Sequence, residues 1–162
     1  MKIAIMSDSH DAIPNLKKAV KLAIEKQAEI LFHCGDLISP FMIPVLAEFG
    51  RETHLILGNN RGDIYLMSQH LKKYPYIHFH GESAEVEIKG YKIAMVHYPK
   101  IAYALALTGE YNFVFCGHNH TYEVKEIKGC LVVNPGELLG KDEDPGFVIL
   151  ELESKTVERI KI

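Results

Sequence analysis

The sequence has few of the features that define disulfide-rich, secreted or membrane proteins. Its 162 residues contain three cysteines, Cys34, Cys116 and Cys130, and no CxxC pair. An odd number of widely spaced cysteines argues against a disulfide scaffold and favours a reducing compartment, where such thiols are usually small buried apolar groups. No segment reaches the ~20 apolar residues of a membrane span, and the apolar run after Lys2 is too short for a secretory signal. We therefore expect a cytoplasmic, soluble protein with no membrane partner.

Strong charge and nucleotide-binding motifs are also missing. The net charge is −3 and no long Lys/Arg run occurs, so the sequence carries no strong signal for a nucleic-acid surface. A GxxxxGKS/T loop is absent, which argues against P-loop nucleotide binding, and so is a GxSxG nucleophile elbow. The HxHxDH pattern of metallo-β-lactamase-type hydrolases is absent too. A small charged substrate is compatible with this composition if a metal ion supplies the positive charge.

The pattern of apolar residues, which make up 48% of the chain, predicts an α/β protein. Strands alternate with helices in the first half, which indicates parallel βαβ units. In the second half, Lys89-Gly90 and Lys128-Gly129 indicate hairpins. Together these patterns predict a single domain over 1–162 with two packed mixed sheets flanked by helices. The predicted strands are 3–6, 30–32, 55–57, 84–88, 92–96, 113–115, 121–127, 131–133, 147–152 and 157–162, and the predicted helices are 13–24, 41–49, 63–73 and 101–107.

Potential metal ligands follow directly after five of the predicted strands. In α/β folds the carboxyl ends of strands that share a direction meet at one edge, where binding sites form. Gly35, Gly58 and Gly117 precede three of these ligands and are expected to allow the sharp turns that aim them inward. Within a DxH or HxH pair, an extended backbone would point both side chains the same way. The candidate ligands are Asp8, His10, Asp36, Asn59, His97, His118 and His120.

The chemistry of these seven side chains predicts a centre for two metal ions. Two carboxylates, one amide and four imidazoles form a mixed nitrogen and oxygen set, which suits Mn, Fe, Zn or Ni better than Ca. Seven ligands are too many for one ion and suit two ions that share a carboxylate. Each fragment alone is weak evidence, because a lone DxH, GD or GN is usually a turn or a helix cap. The prediction depends on all five fragments occurring in order at strand ends.

The order DxH, GD, GN, H and GHxH resembles the calcineurin-like metallophosphoesterase superfamily over essentially the whole chain. The compact length, the GNN form at 58–60 and the NPGE motif at 134–137 are similar to its small archaeal and bacterial phosphodiesterase branch. This resemblance implies a four-layer αββα sandwich. It also implies one ion on Asp8, His10, Asp36 and His120, and a second on Asp36, Asn59, His97 and His118.

The resemblance also implies a mechanism and a substrate class. Asp36 would bridge the two ions, and a bridging hydroxide would attack the phosphorus of a small phosphodiester in line with the leaving oxygen. Manganese is the first expectation for the two divalent ions, with nickel, iron or zinc as alternatives. The expected enzyme is thus a metal-dependent phosphodiesterase.

Two motifs depart from the pattern of the family. Many larger members carry a histidine where this chain has Asn60, and many small members have Gly-His after the ligand histidine, where this chain has Tyr98 and Pro99. Both usual proton donors are therefore missing, and we expect good leaving groups such as phenolates to be favoured. Asn60 and Arg61 are predicted to contact the phosphate, although Arg61 is also typical of a solvated loop charge.

Other functions remain open on the sequence alone. A retromer subunit of this fold serves chiefly as a protein-interaction platform, but its ligand positions are altered, whereas this chain keeps all seven. A phosphomonoesterase or a nuclease of the same superfamily is a further alternative, and a homodimer is left open by analogy only. The apolar segment 41–43 is either a core helix or a partner face. The other histidines, His33, His54, His70, His78 and His80, are interpreted as packing, surface or supporting residues.

Overall fold

The computed structural model describes all 162 residues and contains eleven strands and four helices. The strands are β1 (Lys2–Met6), β2 (Ile30–His33), β3 (Thr53–Leu55), β4 (Ile77–Phe79), β5 (Ser83–Ile88), β6 (Tyr91–Val96), β7 (Phe113–Phe115), β8 (Tyr122–Ile127), β9 (Cys130–Pro135), β10 (Gly146–Glu151) and β11 (Thr156–Lys161). The helices are α1 (Ile13–Glu25), α2 (Met42–Ala47), α3 (Ile64–Leu71) and α4 (Pro99–Thr108).

The strands form two mixed sheets, as the sequence predicted. The six-stranded sheet has the order β11-β10-β1-β2-β3-β4, in which β1 to β4 are parallel and β10 and β11 are antiparallel additions. The five-stranded sheet has the order β5-β6-β7-β9-β8, in which β6, β7 and β9 are parallel. The antiparallel hairpins β5–β6 and β8–β9 turn at the two predicted Lys-Gly pairs.

Alternation of apolar residues along the strands stacks these sheets into four layers. In β1, Ala4 and Met6 belong to the apolar cluster that includes α1 and α2, whereas Ile3 and Ile5 belong to the cluster between the two sheets. In β7, Phe113 and Phe115 also lie between the sheets. Residues of α4 form a third cluster with the outer face of the second sheet. The result is the expected αββα sandwich, with the core divided among three interfaces.

Several predicted boundaries were wrong in detail. The third strand is Thr53–Leu55 rather than 55–57, and the sequence pattern missed β4. Asp11 does not cap α1, because its carboxylate accepts hydrogen bonds from the Ser39 N–H and hydroxyl at 2.8 and 2.6 Å. Asp63 does cap α3, accepting from the Leu66 N–H at 2.9 Å.

The topology brings the predicted ligands to one edge of the molecule. The loops after β1, β2 and β3 leave the first sheet on the same side, since these strands are parallel. The loops after β6 and β7 leave the second sheet in the same way. No helix in the structure has the length and apolarity needed to cross a membrane. All three cysteines are buried and free, as expected.

Candidate metal centre

The buried carboxylate of Asp8 lies at the middle of the site. Its Oδ1 is 3.8 Å from Nε2 of His10, 3.6 Å from Nε2 of His120 and 4.0 Å from Nε2 of His97. The other oxygen, Oδ2, accepts a hydrogen bond from the His118 backbone N–H at 2.9 Å. Oδ1 is buried and has no hydrogen-bond partner. An unpartnered buried carboxylate oxygen is costly unless a cation compensates it.

Asp36 faces histidines on two sides. Its Oδ2 lies 3.4 Å from Nε2 of His10, and its Oδ1 lies 3.6 Å from Nε2 of His97. Asp36 is 2% exposed. A carboxylate whose two oxygens face different imidazoles has the geometry of a shared ligand.

Asn59 and His97 face each other through two atoms that both accept hydrogen bonds. The Nδ1–H of His97 is placed to donate to the Cys34 carbonyl at 2.8 Å, which leaves a lone pair on Nε2. That Nε2 lies 3.0 Å from Oδ1 of Asn59, which also lies 2.8 Å from Nδ1 of His118. Metal-binding histidines commonly donate the N–H of their other ring nitrogen to a backbone carbonyl, as His97 does here. A cation between the facing lone pairs would relieve their repulsion.

The residues present therefore fit divalent metal ions. Three groups of potential ligand atoms lie within 4.8 Å of one another, and two of them share Asp8: one contains Asp8, His10 and His120, and the other contains Asp8, Asp36 and His97. The shared carboxylate of Asp8 makes these two groups contiguous. Asn59 and His118 are exposed, so the centre opens to solvent on their side, where a substrate has access.

The backbone around the ligands is strained rather than extended. Asp8, His10, Asp36, His118 and His120 all have positive φ, between 39° and 75°. Such conformations are uncommon for residues with a Cβ and tend to occur at functional sites. The expected extended geometry of the DxH and HxH pairs was thus wrong. His118 turns toward Asn59, whereas His120 turns toward Asp8.

Gly58 and Gly117 pack so closely on the site that neither position has room for a Cβ. A Cβ on Gly117 would lie 1.9 Å from Oγ of Ser7 and 2.5 Å from Oδ2 of Asp8. A Cβ on Gly58 would lie 2.0 Å from Oδ1 of Asp36. Neither glycine has a positive φ, so it is the close approach of the carboxylates, rather than a left-handed backbone, that requires glycine at both positions. These glycines allow the loops to pack directly on the two carboxylates.

The buried charges shift several pKa values. Burial opposes ionisation of Asp8, but the adjacent side chains of His10 and Ser7 and the charge of His97 together lower its pKa. The carboxylate of Asp8 raises the pKa of His10. Burial, followed by the charge of His97, lowers the pKa of His118. Asp8 is therefore held ionised, the form that binds a metal ion.

Sequence reasoning missed the role of Glu137, which is fully buried. Its Oε2 lies 2.9 Å from Nδ1 of His120, and its Oε1 accepts hydrogen bonds from the backbone N–H groups of Asp142 and Glu143. A carboxylate behind an imidazole fixes the tautomer that leaves the other nitrogen free for a metal. The signal was available, because Glu137 follows the end of β9 in the same way as the other candidates follow their strands.

The comparisons with known proteins agree with this geometry. Residues 1–155 match the family model described as the calcineurin-like phosphoesterase superfamily domain. The chain belongs to this superfamily. Because the match covers all strands except β11, all the loops of the candidate centre lie within the region that defines the superfamily.

Similar proteins and structures cover nearly all of the chain. A phosphodiesterase of Methanocaldococcus jannaschii is 32% identical over 99% of this chain and 98% of its own length. A solved structure described as a novel archaeal phosphodiesterase is 31% identical, with a TM-score of 0.93 over all of both chains. Vacuolar protein sorting 29 of Cryptosporidium parvum shares the fold at 16% identity, with a TM-score of 0.68 over 99% of this chain and 96% of its own.

The two predicted phosphate contacts of this superfamily member lie in different surroundings. Asn60 is bound to Asp36 through its backbone and its side chain. Arg61 is about half exposed and pairs with Glu82 at 2.8 Å. Tyr98 packs its ring edge near His97 and His118, at centroid distances of 5.3 and 4.6 Å.

The remaining histidines lie outside the centre, with one exception. His33 is fully buried behind the first loop, with Nε2 3.1 Å from Oγ of Ser9, so it supports the segment that carries Asp8 and His10. His54, His78 and His80 form a separate cluster at the β3–β4 edge. His70 lies on α3. Tyr103 contacts Glu123 rather than the centre.

Proposed function

We propose that this protein is a phosphodiesterase that works with two divalent metal ions. One ion would be held by Asp8, His10, Asp36 and His120, and the other by Asp36, Asn59, His97 and His118. Manganese is the first candidate for both, with nickel, iron or zinc as alternatives. The proposal is supported by the convergence of these seven side chains and by the name of the Methanocaldococcus jannaschii relative.

The observation that carries the proposal is the unpartnered Oδ1 of Asp8. Three imidazole nitrogens surround it at 3.6 to 4.0 Å, and no hydrogen bond reaches it. Five of the ligand residues have a positive φ, and Gly58 and Gly117 lie too close to the carboxylates to accept a Cβ. The backbone is thus arranged around a pocket of electron-donating atoms. Such a pocket suits a cation and is poorly explained by packing alone.

The chain itself offers no nucleophile at the centre. Burial raises the pKa of the Cys34 thiol well above its usual value and that of Cys116 to about 12, so neither forms a thiolate at neutral pH. Ser9 and His33 are paired, but both are fully buried. When bound, the two ions would acidify a water molecule to provide the attacking hydroxide and would stabilise charge on the phosphoryl oxygens. The protein contributes the fixed positions of the ligands and an opening to solvent beside Asn59.

Hydrolysis of bis(p-nitrophenyl) phosphate tests the proposal. The purified protein is stripped with a chelator and assayed with added Mn²⁺, Ni²⁺, Zn²⁺ or Mg²⁺, beside the variant Asp36→Asn. The matched control is Asp63→Asn, because asparagine caps a helix as well as aspartate does and Asp63 lies outside the centre. We expect activity restored by metal in the wild type and in the control, and lost in Asp36→Asn.

Two results would contradict the proposal. One is turnover that Asp36→Asn retains in full, and the other is no turnover with any metal from protein shown to be folded by circular dichroism. The second result would favour the protein-interaction scaffold. Turnover of p-nitrophenyl phosphate without turnover of the diester would favour a phosphomonoesterase instead.

A further inference from the structure

A cleft of about 320 Å³ opens beside the candidate metal centre. It lies between the outer face of the β5–β6 hairpin and the first turns of α4. Ala94 and Val96 form its floor on β6, while Ile101 and Leu105 form one wall on α4. Leu57 closes the end nearest β3. The cleft is thus a region of the second sheet that α4 covers only in part.

The lining of the cleft is mostly apolar. Ile101 is 48% exposed, which is unusual for an isoleucine at the edge of a core. The charged lining groups are Arg61, Glu82 and Glu85. Arg61 and Glu82 pair with each other at the rim, at 2.8 Å, and both are well exposed. Because the lining has one cationic side chain and two carboxylates, the cleft does not favour an anionic group of the substrate.

The cleft and the metal centre share residues. His97 and Gly58 line the cleft, and His97 also lies 3.6 Å from Asp36 through Nε2. Tyr98, which is 40% exposed, stands at the border between the two. A group esterified to a phosphate at the centre can therefore enter the cleft without leaving the protein surface.

We propose that this cleft binds an aromatic ester group of the phosphodiester substrate, so that the protein selects diesters with at least one aryl-sized group. This inference rests on the proposed function and specifies its substrate class. A dry cavity of about 150 Å³ is large enough for benzene, and ligand pockets commonly begin near 300 Å³, so the cleft accommodates a ring with its substituents. The exposed ring of Tyr98 supplies an aromatic surface for edge or offset stacking.

Two substrates that share a leaving group test this proposal. Bis(p-nitrophenyl) phosphate and methyl p-nitrophenyl phosphate both release p-nitrophenolate, but only the first retains an aryl group. The variant Ile101→Trp fills the cleft. The matched control is Leu107→Trp on the same helix, because Leu107 is 51% exposed and does not line the cleft. All assays use the metal-loaded protein.

We expect Ile101→Trp to lower kcat/KM for bis(p-nitrophenyl) phosphate at least about tenfold, mainly through KM, since the burial of a ring is lost. If the cleft holds the ester group that the product retains, Ile101→Trp should hydrolyse the methyl diester with the kcat/KM of the wild type. If the cleft holds the leaving group, the substitution should lower kcat/KM equally for both substrates. Both results support the proposal. Wild-type rates for Ile101→Trp on both substrates would overturn it.

A binding measurement separates this proposal from the proposed function. Phenylphosphonate and methylphosphonate cannot be hydrolysed and are titrated into zinc-loaded protein while the methyl resonances of isoleucine and leucine are observed. We expect phenylphosphonate alone to shift the signals of Leu57, Ile101 and Leu105. Equal shifts with both ligands, or none at these residues while the ligand binds, would overturn the proposal. Lack of turnover by the wild type would instead refute the proposed function.

Discussion

Asn60 donates hydrogen bonds to both carboxylate oxygens of Asp36. Its backbone N–H reaches Oδ1 at 2.8 Å, and its side-chain amide reaches Oδ2 at 2.7 Å. The sequence suggested that Asn60 contacts the phosphate. In the structure its amide is already engaged, which favours a role in orienting the carboxylate that is proposed to bridge the two ions.

Replacement of Asn60 tests this positioning role. Residues that orient a metal ligand typically contribute 10- to 100-fold in metal affinity, so we expect Asn60→Ala to raise the Mn²⁺ concentration for half-maximal activity by at least about tenfold. At saturating Mn²⁺ most of the activity should return. Arg61→Gln is the neighbouring control and should leave the metal requirement unchanged, because Arg61 pairs with Glu82 rather than with Asp36. An unchanged metal requirement in Asn60→Ala would refute the role.

Glu137→Gln should weaken metal binding through the tautomer of His120. Oε2 of Glu137 lies 2.9 Å from Nδ1 of His120, which favours the tautomer with its proton on Nδ1 and leaves Nε2 free to bind a metal; an amide N–H in its place would put the proton on Nε2. We expect a loss of affinity of about 10- to 100-fold by isothermal titration with Zn²⁺. Glu143→Gln is the control, since Glu143 pairs with Arg159 at 2.8 Å. Equal affinities of the two variants would argue against the role of Glu137.

The sequence predicted the architecture well because the apolar alternation is strong. Residues of β1, β6, β7 and β9 separate cleanly between two faces, so the two sheets and their outer helices follow from the pattern. β4 was missed because it has three residues, Ile77 to Phe79, with an exposed His78 at its centre. A segment this short is held by pairing with β3 rather than by its own pattern.

The candidate site was predicted in composition but less well in geometry. The convergence of ligands after parallel strands follows from topology alone, and the structure brings all seven to one edge. The left-handed turn at Asp8 could not be inferred, because its backbone is held by hydrogen bonds to Gly35 and to Leu138 and Leu139, in loops far apart in the sequence. For the same reason, the engagement of Asn60 with Asp36 emerges only when the loops are placed together.

A second histidine cluster lies outside the metal centre, and its burial predicts that stability depends on pH. His54 is 5% exposed, its Nδ1 lies 2.9 Å from Nε2 of His80, and its Nε2 lies 3.2 Å from Oε1 of Glu52. Its ring also stacks on those of Phe32 and His78. Burial, followed by the charge of His80, lowers the pKa of His54 to about 4.

The folded protein should lose stability as the pH falls from about 6.5 toward 4. In that range the unfolded chain takes up a proton on His54 while the folded chain resists it, so protonation favours unfolding, by on the order of 3 kcal/mol at pH ~4. Urea unfolding with chelator present, from pH 7.5 to 4.5, measures the free energy of unfolding across this range.

His54→Leu should show a shallower decline of stability as the pH falls. Much of the decline that remains should come from His33, because burial also lowers its pKa to about 4. His70→Asn should follow the wild type, and a His54→Leu curve parallel to the wild type would contradict the prediction.

The rate should depend steeply on the leaving group, because the site has no evident acid to protonate it. Asn60 stands where many relatives are expected to carry a histidine and is bound to Asp36, while His97 is followed by Tyr98 and Pro99. A series of aryl methyl phosphates keeps the retained methyl group constant and varies only the phenol. We expect kcat/KM to fall sharply as the phenol becomes less acidic, and alkyl diesters to react far more slowly.

Asn60→His at saturating metal places a proton donor at this position and should make the rate depend less on the acidity of the phenol, even if its overall rate is lower. Comparable rates of the wild-type protein on alkyl and aryl diesters would show that another group protonates the leaving oxygen.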